Sequence, residues 1–236
     1  MWIKSTIIKD MNNAKEGNMT HLYILSLKDD CTELKNNLIP FLSVERKKKY
    51  ESFRFQSDKN NCLYSYLLLK KEINSLYAIP IENQSFRTNL YGKPYLTNSN
   101  CNIFFNISHT SDCVICAISD VEVGVDIEKV RDLPEDIITE VLSEKEKASL
   151  SFLNKTESTK RNQLFFSFWT QKEAYLKYTG KGISEGLNEI DTYSSLFKNC
   201  HTFFLNDYSI SLYSNEEDYE IIRRTCIDVK NFYEKL

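Results

Sequence analysis

Four residues in two stretches have the types and spacing to act on phosphate. In residues 121–130, VEVGVDIEKV, Asp126 and Glu128 stand two apart in a strand-like run through Val123, Val125 and Ile127. Period two sets both carboxylates on one face, roughly 7 Å apart along the strand. In residues 165–182, FFSFWTQKEAYLKYTGKG, Glu173 and Lys177 stand four apart in a run of helical period, so a carboxylate and an ammonium share one face. Taken alone, this second pair reads as an ordinary surface ion pair worth roughly a few tenths of a kcal/mol. Taken together, two strand acids and one helix acid form an all-oxygen donor set. Such a set suits a hard cation with positions left open for phosphate oxygens.

Several elements must position these groups. The helix carrying Glu173 has its apolar residues at Phe165, Phe168, Trp169, Tyr175, Leu176 and Tyr178, and Gly180 is its natural stop. A polar linker is expected before it, over residues 154–162. Residues 103–107 read as a strand delivering Ser108 and His109 at its end, and residues 113–119 as an antiparallel return. Tyr91-Gly92-Lys93-Pro94 predicts a turn between short strands. A strand buried on both faces is expected over residues 22–27. Ser43 is placed to cap a helix holding the basic run Arg46, Lys47, Lys48 and Lys49. By charge alone that run is a solvated helix face. Its functional reading is a docking patch for a phosphorylated ligand.

Ser57 is the expected cap of a longer helix reaching about Tyr77, with Leu63, Tyr66, Leu67, Ile73, Leu76 and Tyr77 on its apolar face and Pro80 as its stop. Ser143 and Glu146 form a capping box opening a helix to about Leu153. Short strands are expected over residues 190–193, 202–205 and 208–213, the last two as a hairpin around Asn206-Asp207. Residues 221–236 begin strand-like and end helical. The order predicts an α+β fold with mainly antiparallel sheets rather than a doubly wound one. The expected organisation is a poorly ordered extension over residues 1–20 and two halves, 21–119 and 120–236.

Composition narrows the chemistry. The chain has 236 residues, 42% of them apolar, enough for a packed core. A net charge of −3 argues against bulk nucleic-acid binding. No apolar run reaches the roughly 18 residues of a membrane span, and no signal-peptide core is present, so a cytoplasmic protein is expected. The seven cysteines are scattered, and all are expected as reduced, mostly buried thiols. With six glycines and no glycine-rich phosphate motif, phosphate must be handled by side chains and metal.

The residues now match a known pattern. GVDIEKV followed by FWTQKEAYLKYTGKG resembles the paired signature of the 4′-phosphopantetheinyl transferases. FNISHT (residues 105–110) and YGKP (residues 91–94) resemble the upstream motifs of the larger, monomeric, surfactin-synthetase-activating type. The resemblance runs from about Leu22 to the C-terminus. It implies two pseudo-symmetric α/β halves with the active site between them. It implies transfer of the phosphopantetheine arm of coenzyme A, the co-substrate, to a serine of an acyl or peptidyl carrier protein, with release of adenosine 3′,5′-bisphosphate.

By position, the resemblance makes Asp126, Glu128 and Glu173 the Mg²⁺ ligands. Glu173 becomes the base, and Lys177 the cation opposite the pyrophosphate. Ser108 and His109 become phosphate contacts, Lys93 the neighbour of adenine, and Arg46 and Lys49 the hold on the 3′-phosphate. The pattern departs at Asn60-Asn61-Cys62, where the family often has an arginine or a basic residue with threonine. A second reading, a coenzyme A- or carrier-binding module without catalysis, has that departure as its support.

Overall fold

Strand alternation builds two sheets, and each is backed by one long helix. The computed structural model describes residues 19–27, 31–97, 101–133, 135–181 and 186–236. The expected extension over residues 1–20 lies, as far as residue 18, outside the described residues. In chain order the elements are β1 (Thr20–Ser26), α1 (Cys31–Leu38), α2 (Val44–Ser52), α3 (Gln56–Tyr77), β2 (Ser85–Thr88) and β3 (Pro94–Thr97). Then come β4 (Phe104–His109), β5 (Cys113–Ser119), β6 (Val123–Lys129), α4 (Ile138–Val141), α5 (Glu144–Ser151) and α6 (Ser158–Thr179). The chain ends with β7 (Cys200–Leu205), β8 (Tyr208–Ser214), β9 (Tyr219–Arg224) and α7 (Cys226–Tyr233).

The first sheet has the order β4-β5-β1-β9, antiparallel except for the β1–β9 pair. The second is antiparallel, β6-β8-β7, and β2–β3 is a separate hairpin. Along β1 the side chains divide by period two. Leu22 and Ile24 join Ile115, Val125, Ile127, Ile210 and Leu212 in a core between the two sheets. Tyr23 and Leu25 face Leu63, Leu67 and Ile73 of α3 on the other side. The strand is therefore buried on both faces, as its unbroken apolar run predicts. α3 and α6, each 22 residues long, cover the outer faces of the two sheets, giving an α+β fold of two similar halves.

α6 lies close to its sheet because small residues face it. A Cβ on Gly124 would stand 2.0 Å from the Ala174 carbonyl oxygen and 2.4 Å from the Tyr178 nitrogen, both backbone atoms. Beside Gly124 on the sheet, Thr170 Oγ1 hydrogen-bonds Ser209 Oγ at 3.1 Å and Ser211 Oγ at 2.8 Å. Ser211 and Ser209 are the register partners of Asp126 and Glu128. The close approach of α6 therefore brings its polar face over the strand acids.

Local signals place most ends, and tertiary structure moves some. Ser43 caps α2 by accepting from the Arg46 amide, and Ser143 with Glu146 forms the expected capping box. α3 starts one residue before Ser57, with Phe55 at the cap and no side-chain bond, so Ser57 is not its cap. It stops on a left-handed Ala78 (φ 53°), two residues before Pro80. The expected linker at 154–162 instead holds a second capping box, Asn154 with Glu157, and the first turn of α6. Residues 190–193 form a turn, not a strand, because Asp191 Oδ1 accepts the Tyr193 amide at 3.0 Å.

The end of the chain resolves into β9 and α7, and both pack on the first sheet. Arg224 meets buried Glu72 of α3 through two bonds of 2.8 and 3.2 Å, and Tyr233 donates to the Leu67 carbonyl at 3.0 Å. Cys62, Cys116 and Cys200 are free thiols, but Cys226 is disulfide-bonded, which corrects the expectation of seven reduced cysteines. An odd count and scattered spacing do not forbid a single bridge.

Candidate active site

The free edge of β6 is where the two halves meet. β6 ends its sheet, so its outer backbone groups need partners from elsewhere. Asn106 of β4 supplies one, its Oδ1 accepting the Val125 amide at 3.0 Å. Two residues on, and hence on the same side of β4, Ser108 Oγ donates to Asp126 Oδ1 at 2.8 Å. Lys177, one turn after Glu173 on α6, completes the node. Its Nζ stands 2.6 Å from Asp126 Oδ1 and 2.9 Å from Ser108 Oγ. Three elements from both halves thus converge on one carboxylate.

Asp126 is 3% exposed, and its other oxygen, Oδ2, is buried with no hydrogen-bond partner. An unpaired buried carboxylate oxygen is costly, so this atom is a ready acceptor for a cation. The neighbouring acids tell the same story. The carboxyl of Glu128 is pushed up first by burial and then by Asp126, against the pull of Arg131. That of Glu173 is pushed up by burial and Asp126, with Glu128 adding and Lys177 opposing. Negative charge is crowded here, and Glu173 has no hydrogen bond or ion pair among the described residues. The donor set, all carboxylate oxygen with one orphan, fits a hard divalent ion. Among the described residues the carboxylates do not themselves enclose a metal position. A substrate oxygen would have to complete the shell.

Two adjoining hollows border the node. The first, about 280 Å³, has Tyr91, Gly92 and Lys93 on one side and Glu173, Leu176 and Lys177 on the other. The second, about 380 Å³, is lined by Arg46, Lys49, Arg87, Tyr66 and Phe86. Pro94 and Ile107 border both, so they adjoin as one cleft, mixed in charge at the end that holds Glu173, Lys93 and Lys177 and basic at the end that sets Arg46, Lys49 and Arg87 against Glu45. His109, at the tip of β4, stands in the field of both. The surrounding protein, then Lys177, hold its imidazole below the usual range against the pull of Asp58, with Arg46 and Lys49 adding to the depression.

The sequence-predicted residues fare differently in detail. Asp126, Glu128, Glu173, Lys177 and Ser108 come together. Arg46 lines the basic end, but its guanidinium is braced on the Cys62 carbonyl at 3.2 and 3.0 Å and on Ser65 Oγ at 3.1 Å, beside the Tyr66 ring. Lys49 is exposed there. Lys93 borders the cleft, yet its ammonium is engaged by Glu122 Oε2 at 2.6 Å and the Tyr178 carbonyl at 3.0 Å. At the Asn60–Cys62 departure, Asn61 Nδ2 ties α3 to the Thr110 carbonyl at 2.7 Å. Sequence reasoning passed over Asn106, Arg87 and Gly124. Two carried a readable signal. Asn106 shares the period-two face of Ser108, and a glycine inside a strand marks a close approach.

The cleft between the two similar halves thus sets the Asp126 node, with its unpartnered carboxylate oxygen, near a basic end lined by Arg46, Lys49 and Arg87. Comparison with known proteins gives the family. Residues 122–227 match the 4′-phosphopantetheinyl transferase superfamily, and residues 32–120 match the 4′-phosphopantetheinyl transferase N-terminal family. The chain belongs to the 4′-phosphopantetheinyl transferase superfamily. It is 36% identical to a 4′-phosphopantetheinyl transferase of Bacillus pumilus over 64% of this chain and 63% of that one. It is 35% identical to the 4′-phosphopantetheinyl transferase gsp of Aneurinibacillus migulanus over 66% and 65% of the two chains. It is 31% identical to Sfp of Bacillus subtilis over 64% and 66%. The match thus spans just under two thirds of the length of each of these relatives. Among the described residues, no helix is long and apolar enough to cross a membrane.

Proposed function

We propose that the protein transfers the 4′-phosphopantetheine arm of coenzyme A to a serine of an acyl or peptidyl carrier protein and releases adenosine 3′,5′-bisphosphate. The carrying observation is the node of Asp126, Ser108 and Lys177 with its unpaired Oδ2, set across the cleft from the basic end. In this reading Arg46 and Lys49 hold the 3′-phosphate, and Ser108 and His109 contact phosphate oxygens. Lys93 orders the turn beside the adenine. Lys177 neutralises charge building on the pyrophosphate as the β-phosphorus is attacked. Glu173, without a hydrogen bond or ion pair among the described residues and with its pKa raised by burial and Asp126, accepts the proton of the attacking serine hydroxyl. Asp126, Glu128 and Glu173 would hold Mg²⁺, which when bound supplies further charge neutralisation to the same phosphates. The protein acts as a cytoplasmic monomer that binds neither nucleic acid nor membrane.

The raised carboxyls fix a sign for the pH dependence. The active form needs Glu128 and Glu173 ionised, so activity is lost as pH falls through their raised pKa values. At limiting Mg²⁺ the acid limb of kcat/KM is therefore expected above the usual carboxylate range of about 4, and it should move down as Mg²⁺, which competes with protons for the same oxygens, is raised. A folded-state carboxyl pKa above its unfolded value makes protonation favour the fold. Thermal unfolding measured at the same pH values should accordingly show no parallel loss from these groups. An acid limb that does not move when the Mg²⁺ concentration is changed would show that neither group controls it.

Intact-mass spectrometry of an apo carrier protein incubated with this protein, coenzyme A and Mg²⁺, with and without EDTA, tests the assignment. A metal-dependent gain of one phosphopantetheine is expected. Coenzyme A binding without any gain, across acyl and peptidyl carriers, would make the protein a non-catalytic module, a reading that its named relatives do not favour.

A further inference from the structure

We propose that Asn89 is a positioning residue. It latches the β2–β3 turn onto the C-terminal end of α6 and so sets the width of the cleft that holds coenzyme A, a proposal that rests on the function assigned above.

The side chain of Asn89 works in two directions. Its Oδ1 accepts the amides of Tyr91 and Lys93, both at 2.9 Å. The Asn89 amide bonds the Lys93 carbonyl at 2.9 Å, and the Gly92 amide bonds the Asn89 carbonyl at 3.1 Å. This is an Asx-type turn, with Gly92 in the left-handed region at φ 87°. The other end, Nδ2, leaves the turn and donates to the Gly180 carbonyl at 3.0 Å, across to the other half of the protein.

Gly180 is the left-handed cap of α6 (φ 61°), its amide bonded to the Leu176 carbonyl at 3.0 Å. A Cβ there would stand 2.8 Å from Lys93 Cδ and 3.4 Å from Asn89 Nδ2. The turn and the helix end are thus in close contact. Lys93 forms a second strap, its ammonium on the Tyr178 carbonyl, where a cation suits the negative end of a helix.

Beyond these straps the ribbon is held at its strands, through Phe86 and Leu96 against the first core, and not at its tip. β2–β3 is a two-stranded ribbon, a marginal structure by itself. Leu90 is 98% exposed and Tyr91 64% exposed, so packing does not fasten the tip. Yet Tyr91, Gly92 and Lys93 form one wall of the cleft, and Glu173, Leu176 and Lys177, the last turns of the same α6, form the other. The Asn89–Gly180 bond joins the two walls directly. Ligand held between the walls depends on it, whereas the chemistry on α6 does not.

Asn89→Asp separates the latch from the turn. It keeps both acceptors for Tyr91 and Lys93, removes the donor to Gly180, and sets a negative charge against a carbonyl. One lost bond between the walls is expected to raise KM for coenzyme A about tenfold. The kcat should stay within about twofold. Amide hydrogen exchange should quicken across residues 85–97 and stay unchanged in α3. Glu122→Gln, which loosens the Lys93 strap and leaves Asn89 alone, should move KM and exchange in the same direction by less. Unchanged exchange across 85–97, or a fall in kcat at constant KM, would overturn the latch. Failure of the wild-type protein to bind coenzyme A would refute the function itself, and the exchange data would still decide whether the turn is latched.

Discussion

Asp126→Ala is expected to lower carrier modification about a thousandfold, the scale of losing one fixed electrostatic partner of a reacting phosphate. The argument is geometric. Asp126 is the only carboxylate of the node contacted from both halves, by Ser108 of β4 and Lys177 of α6. Its removal takes away the orphaned oxygen that offers itself to a cation and leaves Lys177 without the partner that aims it. Stability should change little. The Lys177 side chain, 30% exposed, can reach water, and Glu128 and Glu173 lose a neighbour that repels them. Initial rates of transfer, with thermal unfolding as the control, check this. A variant within tenfold of wild type would remove Asp126 from the reaction.

The largest effect on stability is expected one residue before Glu173. Lys172 and Glu146 are both fully buried. Lys172 Nζ donates to Glu146 Oε2 at 2.5 Å and to the carbonyls of Val141 and Leu187 at 2.6 and 3.0 Å. Glu146 also accepts from the Thr192 amide and hydroxyl at 2.9 and 2.8 Å and from the Ser143 amide at 2.9 Å. Glu146→Ala leaves a buried ammonium with no counter-charge, which typically costs about 3–5 kcal/mol. Equilibrium denaturation at neutral pH measures it. Burial already holds the Lys172 ammonium below its usual range, against the pull of Glu146. Without Glu146 that depression deepens, and the unfolded chain binds the extra proton. The variant's deficit should therefore shrink as pH rises from 7 to 9. Pairing it with Lys172→Met should recover part of the loss, because a buried apolar pair replaces a buried lone charge.

Local chemistry was legible in the sequence, and non-local contact was not. The Ser143–Glu146 box, the Gly180 stop and the Asn206-Asp207 hairpin are decided by neighbours in the chain, and each stands where those residues put it. The start of α6 was hidden because residues 158–162 are polar, and nothing in their own stretch shows that a helix extends through them. β9 was ambiguous because its partner, β1, lies about 200 residues earlier. At the site, period two correctly placed Asp126 and Glu128 on one face. Which side chains would hold them, and that Lys93 would turn its ammonium to Glu122 and the end of α6, depended on how the halves meet. Gly124 inside a strand signals that something comes close but not what, since the atoms it spares belong to α6, about fifty residues further on.

The return of β9 to the first sheet has a consequence for synthesis of the chain. β1 is among the earliest described residues made, and β9 among the last. Until residues 219–224 emerge from the ribosome, β1 is an open edge, with the apolar pairs Leu22–Tyr23 and Ile24–Leu25 along it. The first half cannot close as a finished unit during translation, and its native form is reached only after the second half is complete. A nascent chain stalled anywhere between β5 and β9 therefore presents the open, apolar edge of β1 to its neighbours and to chaperones.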